Sequence, residues 1–359
     1  MASMLMVHMN PGQGETSYAR NSSLQNAEQK RLKPLIEAAI VDFCTSTGTL
    51  LLTKMVVADL GCSSGPNAIA LVSVAVETIH NHCLRFLQPP PEVCVLLNDL
   101  PGSDFNTVVK SLDTLRHSNC EPIVITGVLP GSFYERLFTS GSLHFVFSSN
   151  SLHWISKAPE DLTRNQITAY DIDEHIRLQR RPMVIEAYAQ QFRKDFTRFL
   201  ELRAKELIPG GRMVVSLAGR DSDVITPKFS HLWEFIAQNL SIMVLEGVID
   251  KAKFDSFYLP VYEPSDKELR EIIQDEGSFS ITEMQVNEPP SGPDSALVVP
   301  SRFVNVIRAV FEPIIVLHFG QVMDEFVRTL ERRWSLEGSL QDEHARNPRT
   351  TVAVSLRKA

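Results

Sequence analysis

No stretch of this 359-residue chain approaches the roughly 20 consecutive apolar residues that a membrane-spanning helix needs. Residues 1–14 also lack the charged and apolar regions of a secretory signal, so a cytoplasmic protein without a membrane partner is expected. Positive charge is scarce as well. With 35 Lys plus Arg against 43 Asp plus Glu, the net charge is −8, and nucleic acid is not an expected partner. Cysteine is sparse: Cys44, Cys62, Cys83, Cys94 and Cys120 are odd in number, form no CxxC pair and have no matching His spacing. They read as reduced packing residues rather than disulfides or zinc ligands. The chain contains no G-x-S-x-G, which removes the nucleophile elbow of the α/β hydrolases, and it has no internal repeat or low-complexity tract. A small molecule is the remaining default ligand, and the length allows one large or two ordinary domains.

What is present is an alternation of apolar runs and helical patterns. Leu32 to Phe43 has helical spacing, Met55 to Ala58 is a short buried-strand run, and Ala68 to His82 is breaker-free and rich in Ala, Val and Leu. Val93 to Leu97 is a second strand after Pro89-Pro90-Pro91, so a βαβ unit opens the chain. Pro122 to Val128, Leu143 to Phe147 and Met213 to Leu217 follow as strands, with a long amphipathic helix from Met183 to Leu207 carrying Tyr188, Phe192, Phe196 and Phe199. Pro209-Gly210-Gly211 stops that helix. Helices are expected at Leu232 to Glu246, at Asp266 to Glu276 behind the capping box Ser265-x-x-Glu268, and from Arg302 to Trp334 with a break at Pro313. Ser280 to Val286 and Thr350 to Leu356 complete a sheet of about seven strands, with inserted helices over one end.

In such a sheet, ligands bind beyond the carboxyl ends of the strands. The turn Asp59-Leu60-Gly61-Cys62-Ser63-Ser64-Gly65-Pro66-Asn67 stands there, with three residues between its glycines instead of the G-x-G-x-x-G of dinucleotide sites. A zwitterionic amino-acid moiety would need a carboxylate nearby, which Asp59 could supply; the bland alternative is a tight strand-to-helix connection. Asp99 ends the second strand, where acidic side chains take ribose hydroxyls, although an Asp before Pro101 also suits an ordinary turn. Ser132-Phe133 after the third strand could bracket a flat base, or Phe133 could simply pack.

Together, His8-Met9, Gly12-x-Gly14-Glu15-x-Ser17-Tyr18-Ala19, Asn21-Ser22, Gln25, the glycine turn, Asn98-Asp99-Leu100-Pro101-Gly102, Pro130-Gly131-Ser132-Phe133-Tyr134 and Ser151-Leu152-His153-Trp154 resemble the plant salicylate, benzoate and theobromine (SABATH) methyltransferases. The resemblance spans nearly the whole chain. It implies an α/β fold of the class I S-adenosylmethionine methyltransferase type, Rossmann-like with an α-helical cap. It implies S-adenosyl-L-methionine as cofactor, held by Tyr18, Cys62, Asn67, Asp99, Leu100, Ser132 and Phe133 with Asp59 near its amino-acid end. Gln25 and Trp154 would then hydrogen-bond the substrate carboxylate, Asn150, His153, Trp233 and Ile307 would line the acyl pocket, and the protein would form a homodimer. The core would span 1–220 and 280–359, with 1–30 as a gating segment; 221–279 and parts of 155–182 and 300–345 would form the cap.

Two positions depart from the family pattern. Asn10 stands where many members have Lys, and Asn150 where salicylate-specific members often have Tyr. Some members also carry magnesium on an Asp-x-Phe-Asn run; here Asp255-Ser256-Phe257-Tyr258 replaces the Asn oxygen with a phenol, leaving at most a weak magnesium site at Asp255, Phe257 and Tyr258. A carboxylate is already ionised at neutral pH, so methyl transfer to it needs positioning and no general base. The acid is expected to be benzoate or salicylate, with jasmonate, anthranilate and indole-3-acetate as alternatives. From other classes, an NAD-dependent dehydrogenase and a catalytically silent ligand binder stay open at this point.

Overall fold

The computed structural model describes residues 8–47, 53–116, 122–220, 231–287, 300–337 and 350–359. Cys120, the first seven residues of the expected gating segment, and 221–230 and 338–345 of the expected cap lie outside them. After a short helix α1 (Tyr18–Asn21) and the long α2 (Ser23–Thr47), the chain alternates β1 (Lys54–Leu60), α3 (Ala70–Arg85), β2 (Glu92–Asp99), α4 (Phe105–Arg116) and β3 (Val124–Pro130). Then come β4 (Leu143–Ser149), α5 (Glu160–Arg164), α6 (Glu174–Glu206) and β5 (Leu207–Gly219). The last part holds α7 (His231–Leu245), α8 (Lys251–Asp255), α9 (Asp266–Glu276), β6 (Phe279–Asn287), α10 (Pro300–Phe319), α11 (Met323–Glu337) and β7 (Thr350–Lys358).

The seven strands form one sheet in the order β3-β2-β1-β4-β5-β7-β6. β1 to β5 run parallel, and β7 is antiparallel to both β5 and β6. Side chains alternate between two buried layers, as the two-residue period of a strand requires. Met55 and Val57 of β1, Phe145 and Phe147 of β4 and Val214 of β5 join the layer that holds α2, α3 and α4. Ala58, Leu60, Val146, Met213 and Val215 join the opposite layer, where α6 supplies Phe192, Phe196 and Phe199. Because both faces are covered, the strands read as continuous apolar runs.

The inserted helices divide in two. α9 carries the expected capping box, with Glu268 N–H donating to Ser265 Oγ and Ser265 N–H to the Glu268 carboxylate, and ends at Gly277 in the left-handed region. It lies against β6 and α6, on the sheet. By contrast, α7, α8, α10 and α11 pack on one another, and α1 packs on α10. The expected break at Pro313 is not there: α10 runs through it and ends at Gly320, φ +86°, whose N–H bonds the Val316 carbonyl at 2.9 Å. A proline removes one N–H but the packed helix tolerates it, whereas a left-handed residue terminates the hydrogen-bond ladder. α6 likewise begins at Glu174, nine residues before Met183, with the Asp173 carboxylate capping Ile176 N–H. Its first two turns are too polar to show an apolar period. The four described cysteines are free thiols; Cys44, Cys62 and Cys83 are buried.

A register shift between Leu143 and Phe145 marks a bulge where β4 begins. The neighbouring β1 N–H of Val56 is satisfied by a side chain instead of a strand: His144 Nδ1 accepts it at 3.0 Å. Burial first, then the charge of Lys54, pushes the His144 imidazole down to about 4. The unfolded chain therefore takes up a proton near pH 6.5 that the folded chain refuses until about pH 4, so this group's stabilisation is lost as pH falls across that window. Urea unfolding at pH 7 and pH 4.5 should show His144→Gln losing less stability on acidification than the parent, by up to about 3 kcal/mol; equal losses would remove His144 from the account.

Candidate active site

Strand order reverses between β1 and β4, since β2 and β3 lie to one side and β5 to the other. The crevice outside the carboxyl ends of these two strands is where a doubly wound sheet receives a ligand. The chain lays its most polar turns there. From β1 comes the turn at Gly61, φ +78°, where an added Cβ would strike the Ser151 side chain from the end of β4. Only glycine lets these two strand ends meet, and Ser151 Oγ then donates to the Gly61 carbonyl at 2.9 Å. Ser148 Oγ makes a matching bond to the Leu60 carbonyl at 2.9 Å.

At the end of β2, Asp99 is the acceptor that organises the turn. One carboxylate oxygen accepts Ser63 N–H at 2.6 Å; the other accepts Leu100 N–H at 2.7 Å and Ser103 Oγ–H at 2.6 Å. The oxygen facing Ser63 keeps a lone pair for a further donor. Burial raises the pKa of Asp99 above the usual carboxylate range, opposed by the bonds from Ser103, Ser63 and Leu100 and by the charge of His8. Asp59, almost wholly buried one strand over, is pushed up to about 8 by burial and by the charge of Asp99. Tyr18 is brought to the same place, its phenol raised by burial and then by Asp99 and Cys62. The charge of Asp99, beside an Asp59 carboxyl that a neighbouring cation would ionise, favours a cationic ligand group.

After β3, Gly131 N–H bonds the Asp99 carbonyl at 2.9 Å, which carries Ser132 and Phe133 to the same edge. The Phe133 ring reaches toward Gly61 and meets Tyr134 at 4.7 Å and Phe199 at 6.2 Å. Ser132 Oγ accepts Tyr134 N–H at 3.2 Å. Asn67 is tied to the protein on both sides of its amide. Its amide donates to both the carbonyl and the hydroxyl of Ser22 at 2.9 Å and accepts from Asn26 at 2.9 Å, tying the glycine turn to the start of α2. Gly65, φ +87°, permits the same closeness on the other side, since a Cβ there would come within 2.7 Å of Ala19.

Gln25 lies one turn along the chain from Ser22, on α2, with its buried Oε1 lacking a partner among the described residues. Trp154 is held by a bridge to Val261, by Tyr134 Oη donating to its carbonyl at 2.8 Å, and by packing on Phe311 at 5.9 Å. His153 lies 5.7 Å from the Trp154 ring, and Ile307 stands one helical turn before Phe311. Asn150, φ +55°, donates its amide to Ser149 Oγ at 3.1 Å. Trp233 is deeper, at 2 % exposure, with its ring 5.5 Å from Tyr170 and its indole bonded to Tyr188.

The residues named for magnesium do not converge. Asp255 pairs with Lys251 at 2.6 Å, Tyr258 Oη donates to the Ile167 carbonyl at 2.9 Å, and the buried Phe257 faces Phe319 at 4.9 Å. An oxygen cage needs those same oxygens turned to one point. Among the described residues no group of three or more His, Cys, Asp or Glu side chains gathers as metal ligands.

Two fastenings escaped the sequence reading. Arg203 and Glu206 form a fully buried ion pair at 2.6 Å. Arg203 also donates to the carbonyls of Phe133 at 2.8 Å and Glu135 at 3.1 Å, while Glu206 accepts Leu137 N–H at 2.8 Å and Phe138 N–H at 3.1 Å. The turn bearing Ser132 and Phe133 is thus anchored to α6. Likewise Asp195 accepts Ser156 N–H at 2.8 Å and Ser156 Oγ–H at 2.7 Å, which anchors the segment after Trp154. A signal existed: Arg203 and Glu206 continue the spacing of Phe192, Phe196 and Phe199, so charges stand on the buried stripe.

A seven-stranded sheet with this order, a lone antiparallel strand β7 and a glycine turn at the β1 end defines a class I S-adenosylmethionine-dependent methyltransferase. Residues 4–359 match the family of SAM dependent carboxyl methyltransferases, and the chain belongs to it. It is 40% identical over 347–365 residues' worth of alignment to relatives of jasmonate type, among them the Jasmonate O-methyltransferase of Arabidopsis thaliana, 40% identical over 365 residues covering 90% of this chain and 92% of that protein. It is 38% identical to the S-adenosyl-L-methionine:benzoic acid/salicylic acid carboxyl methyltransferase 3 of Petunia hybrida, with 90% of each covered. Among solved structures, loganic acid methyltransferase with SAH superposes with a TM-score of 0.80 at 28% identity over 98% of both chains. The protein is therefore a carboxyl O-methyltransferase that uses S-adenosylmethionine.

Breaking one partner of a buried ion pair leaves an uncompensated charge and costs about 3–5 kcal/mol. Glu206→Gln should lower the urea midpoint accordingly and weaken S-adenosylhomocysteine binding, because the Phe133 turn loses its anchor; calorimetric titration of the folded variant would expose unchanged affinity if the anchor were irrelevant to the site.

Proposed function

We propose that the acid methylated is small, flat and aromatic, benzoate or salicylate, and that Gln25 and Trp154 hold its carboxylate while His153, Asn150, Trp233 and Ile307 shape the pocket around the ring. The observation that carries this reading is the buried Oε1 of Gln25, which has no hydrogen-bond partner among the described residues. Rotation about its last side-chain bond exchanges the oxygen for the NH2 group, which can then donate to a carboxylate. The aromatic surfaces of Trp154 and Phe311, 5.9 Å apart, support a planar ring by offset packing. α7, α8, α10 and α11 act in this reading as the substrate cap. A homodimer and a cytoplasmic location belong to it too, the first from the family resemblance alone.

The cofactor supplies an electrophilic methyl group, and the chain's residues supply alignment. Asp99 takes the ribose side, Ser132 and Phe133 flank the base, and Asp59 with the neighbouring turn receives the amino-acid end. Neutral donors suit the acid: a Lys or Arg clamp would stabilise the anion that the reaction consumes more than its transition state. Alignment at near-attack distance with water excluded supplies on the order of 7 kcal/mol or more. A jasmonate-type acid is the second reading, favoured by the 40% identity to the Arabidopsis thaliana enzyme.

Initial rates with labelled S-adenosylmethionine against benzoate, salicylate, jasmonate, anthranilate and indole-3-acetate decide the acid; kcat/KM highest for jasmonate would replace the first reading with the second. Gln25→Ala should raise the KM of the acid roughly tenfold with cofactor affinity unchanged. Unaltered kinetics would place the carboxylate elsewhere.

Asp59 gives a pH signature. At pH 7 a carboxyl group titrating at about 8 is mostly protonated, and a cationic amino group beside it favours the ionised form. Affinity for S-adenosylhomocysteine should therefore rise with pH up to about 8, and binding at pH 7 should release up to about one proton. Calorimetry in buffers of different ionisation heat measures this release, which Asp59→Asn should abolish; the same release in the variant would exclude Asp59.

A further inference from the structure

Asn98 precedes Asp99 on β2 and, by the alternation of the strand, faces the interior where Asp99 faces the crevice. It is fully buried. Its backbone carbonyl accepts two N–H groups of the glycine turn, Gly61 at 2.9 Å and Cys62 at 3.0 Å. Its side-chain NH2 donates both hydrogens in the other direction, to the Leu129 carbonyl at 2.8 Å and the Gly131 carbonyl at 2.9 Å. One residue thereby joins the ends of three strands. The glycine turn hangs from its main chain, and the turn leading to Ser132 and Phe133 hangs from its side chain.

We propose that Asn98 is a positioning residue for the cofactor, fixing the Gly131-Ser132-Phe133 turn against the Gly61-Cys62 turn so that both halves of S-adenosylmethionine are received at once. The side-chain bonds lie where regular pairing gives out, since β3 ends at Pro130. Beyond it Gly131, φ +153°, has no side chain to fix itself by packing. The amide fits this task better than one of general stability. Its Oδ1 is buried without a partner among the described residues, a cost that offsets much of what the two donated bonds contribute to folding. What survives that offset is directional: two carbonyls held at a set place relative to β2. An aspartate of the same shape would present oxygens to both carbonyls and push the turn away.

The inference concerns the cofactor half of the site and stands whichever acid is methylated. Its test uses Asn98→Ala, Asn98→Asp and Asn98→Ser in the full chain, the last keeping one hydroxyl donor. Circular dichroism and thermal unfolding establish the folded state of each, and calorimetry gives affinity for S-adenosylhomocysteine. The expected result is a graded loss of affinity, roughly tenfold for Ala and Asp and less for Ser, with the cofactor KM rising in step. The KM of the acid should stay within about twofold, because Trp154 keeps its bridge to Val261 and its packing on Phe311, and Gln25 is carried by α2. Should Ala and Asp not fold, the Ser variant decides alone. Affinity within about twofold of the parent in a folded variant, or an acid KM that rises in parallel with the cofactor's, would overturn the proposal. Because the binding measurement needs no acid, it is unaffected by an error in the substrate assignment.

Discussion

Everything at the active edge follows from the reversal of strand order between β1 and β4. On either side of that line, successive strands move away from each other, so the loops leaving β1 and β4 diverge and open a crevice. No sheet residue can fill it. The backbone groups that come to an end there must be satisfied by turns instead, and the chain answers with side chains that bond main chain: Ser148 to Leu60, Ser151 to Gly61, Asp99 to Ser63 and Leu100. The polarity of the crevice is thus a consequence of ending parallel strands at one edge, before any ligand is considered.

Two long helices turn this edge into a rigid site. α2 is bound to the glycine turn through Ser22, Asn26 and Asn67, and it brings Gln25 with it. α6 is bound through Arg203 and Glu206 to the turn of Phe133 and through Asp195 to Ser156, two residues beyond Trp154. Buried charges are weak evidence for stability, since desolvation offsets their attraction. Here both members of the pair spend their remaining capacity on main-chain groups of one loop, so geometry is what they secure. Loop residues that carry chemistry are then held as firmly as helix residues.

The architecture was legible because period and punctuation agree: each parallel strand is an apolar run of four to seven residues closed by Gly, Ser, Asn or Asp, and each long helix shows its stripe. Where the two disagree, the reading slipped. Pro313 looked like a stop because the residue, taken alone, cannot donate, yet the packed helix passes through it and Gly320 ends it. The opening turns of α6 are polar and carried no period. In the site, residue types that are rare at strand ends, such as Asp59 and Asp99, could be read directly. The role of Asn67 could not, because its partners Ser22 and Asn26 lie 45 and 41 residues away and only folding brings them together. Arg203 and Glu206 were hidden by the habit of reading an i,i+3 charge pair as surface, although their place on the stripe said otherwise.

Selectivity for the acid must come from outside the sheet. On the proposed reading the cofactor contacts rest on strand ends, whose spacing of under about 5 Å is set by hydrogen bonding and leaves little room for variation. On the same reading the acyl side is closed by α10 and its neighbours, helices that lie outside the hydrogen-bonded sheet. Residues 10–18 join the two: Asn10 N–H bonds the Ala309 carbonyl at 2.8 Å, its amide meets Glu312 at 3.1 Å, and Gly12 N–H bonds Asp104 beside β2 at 3.1 Å. With Asn where relatives of this family often have Lys, that junction is made by a neutral amide against a carboxylate that is itself raised by burial. No positive charge is added near an acid whose own charge the reaction removes. A pocket of the proposed kind discriminates by shape and by a few amide and indole donors, so exchanging one side chain on α10 is expected to change the acid with cofactor affinity kept.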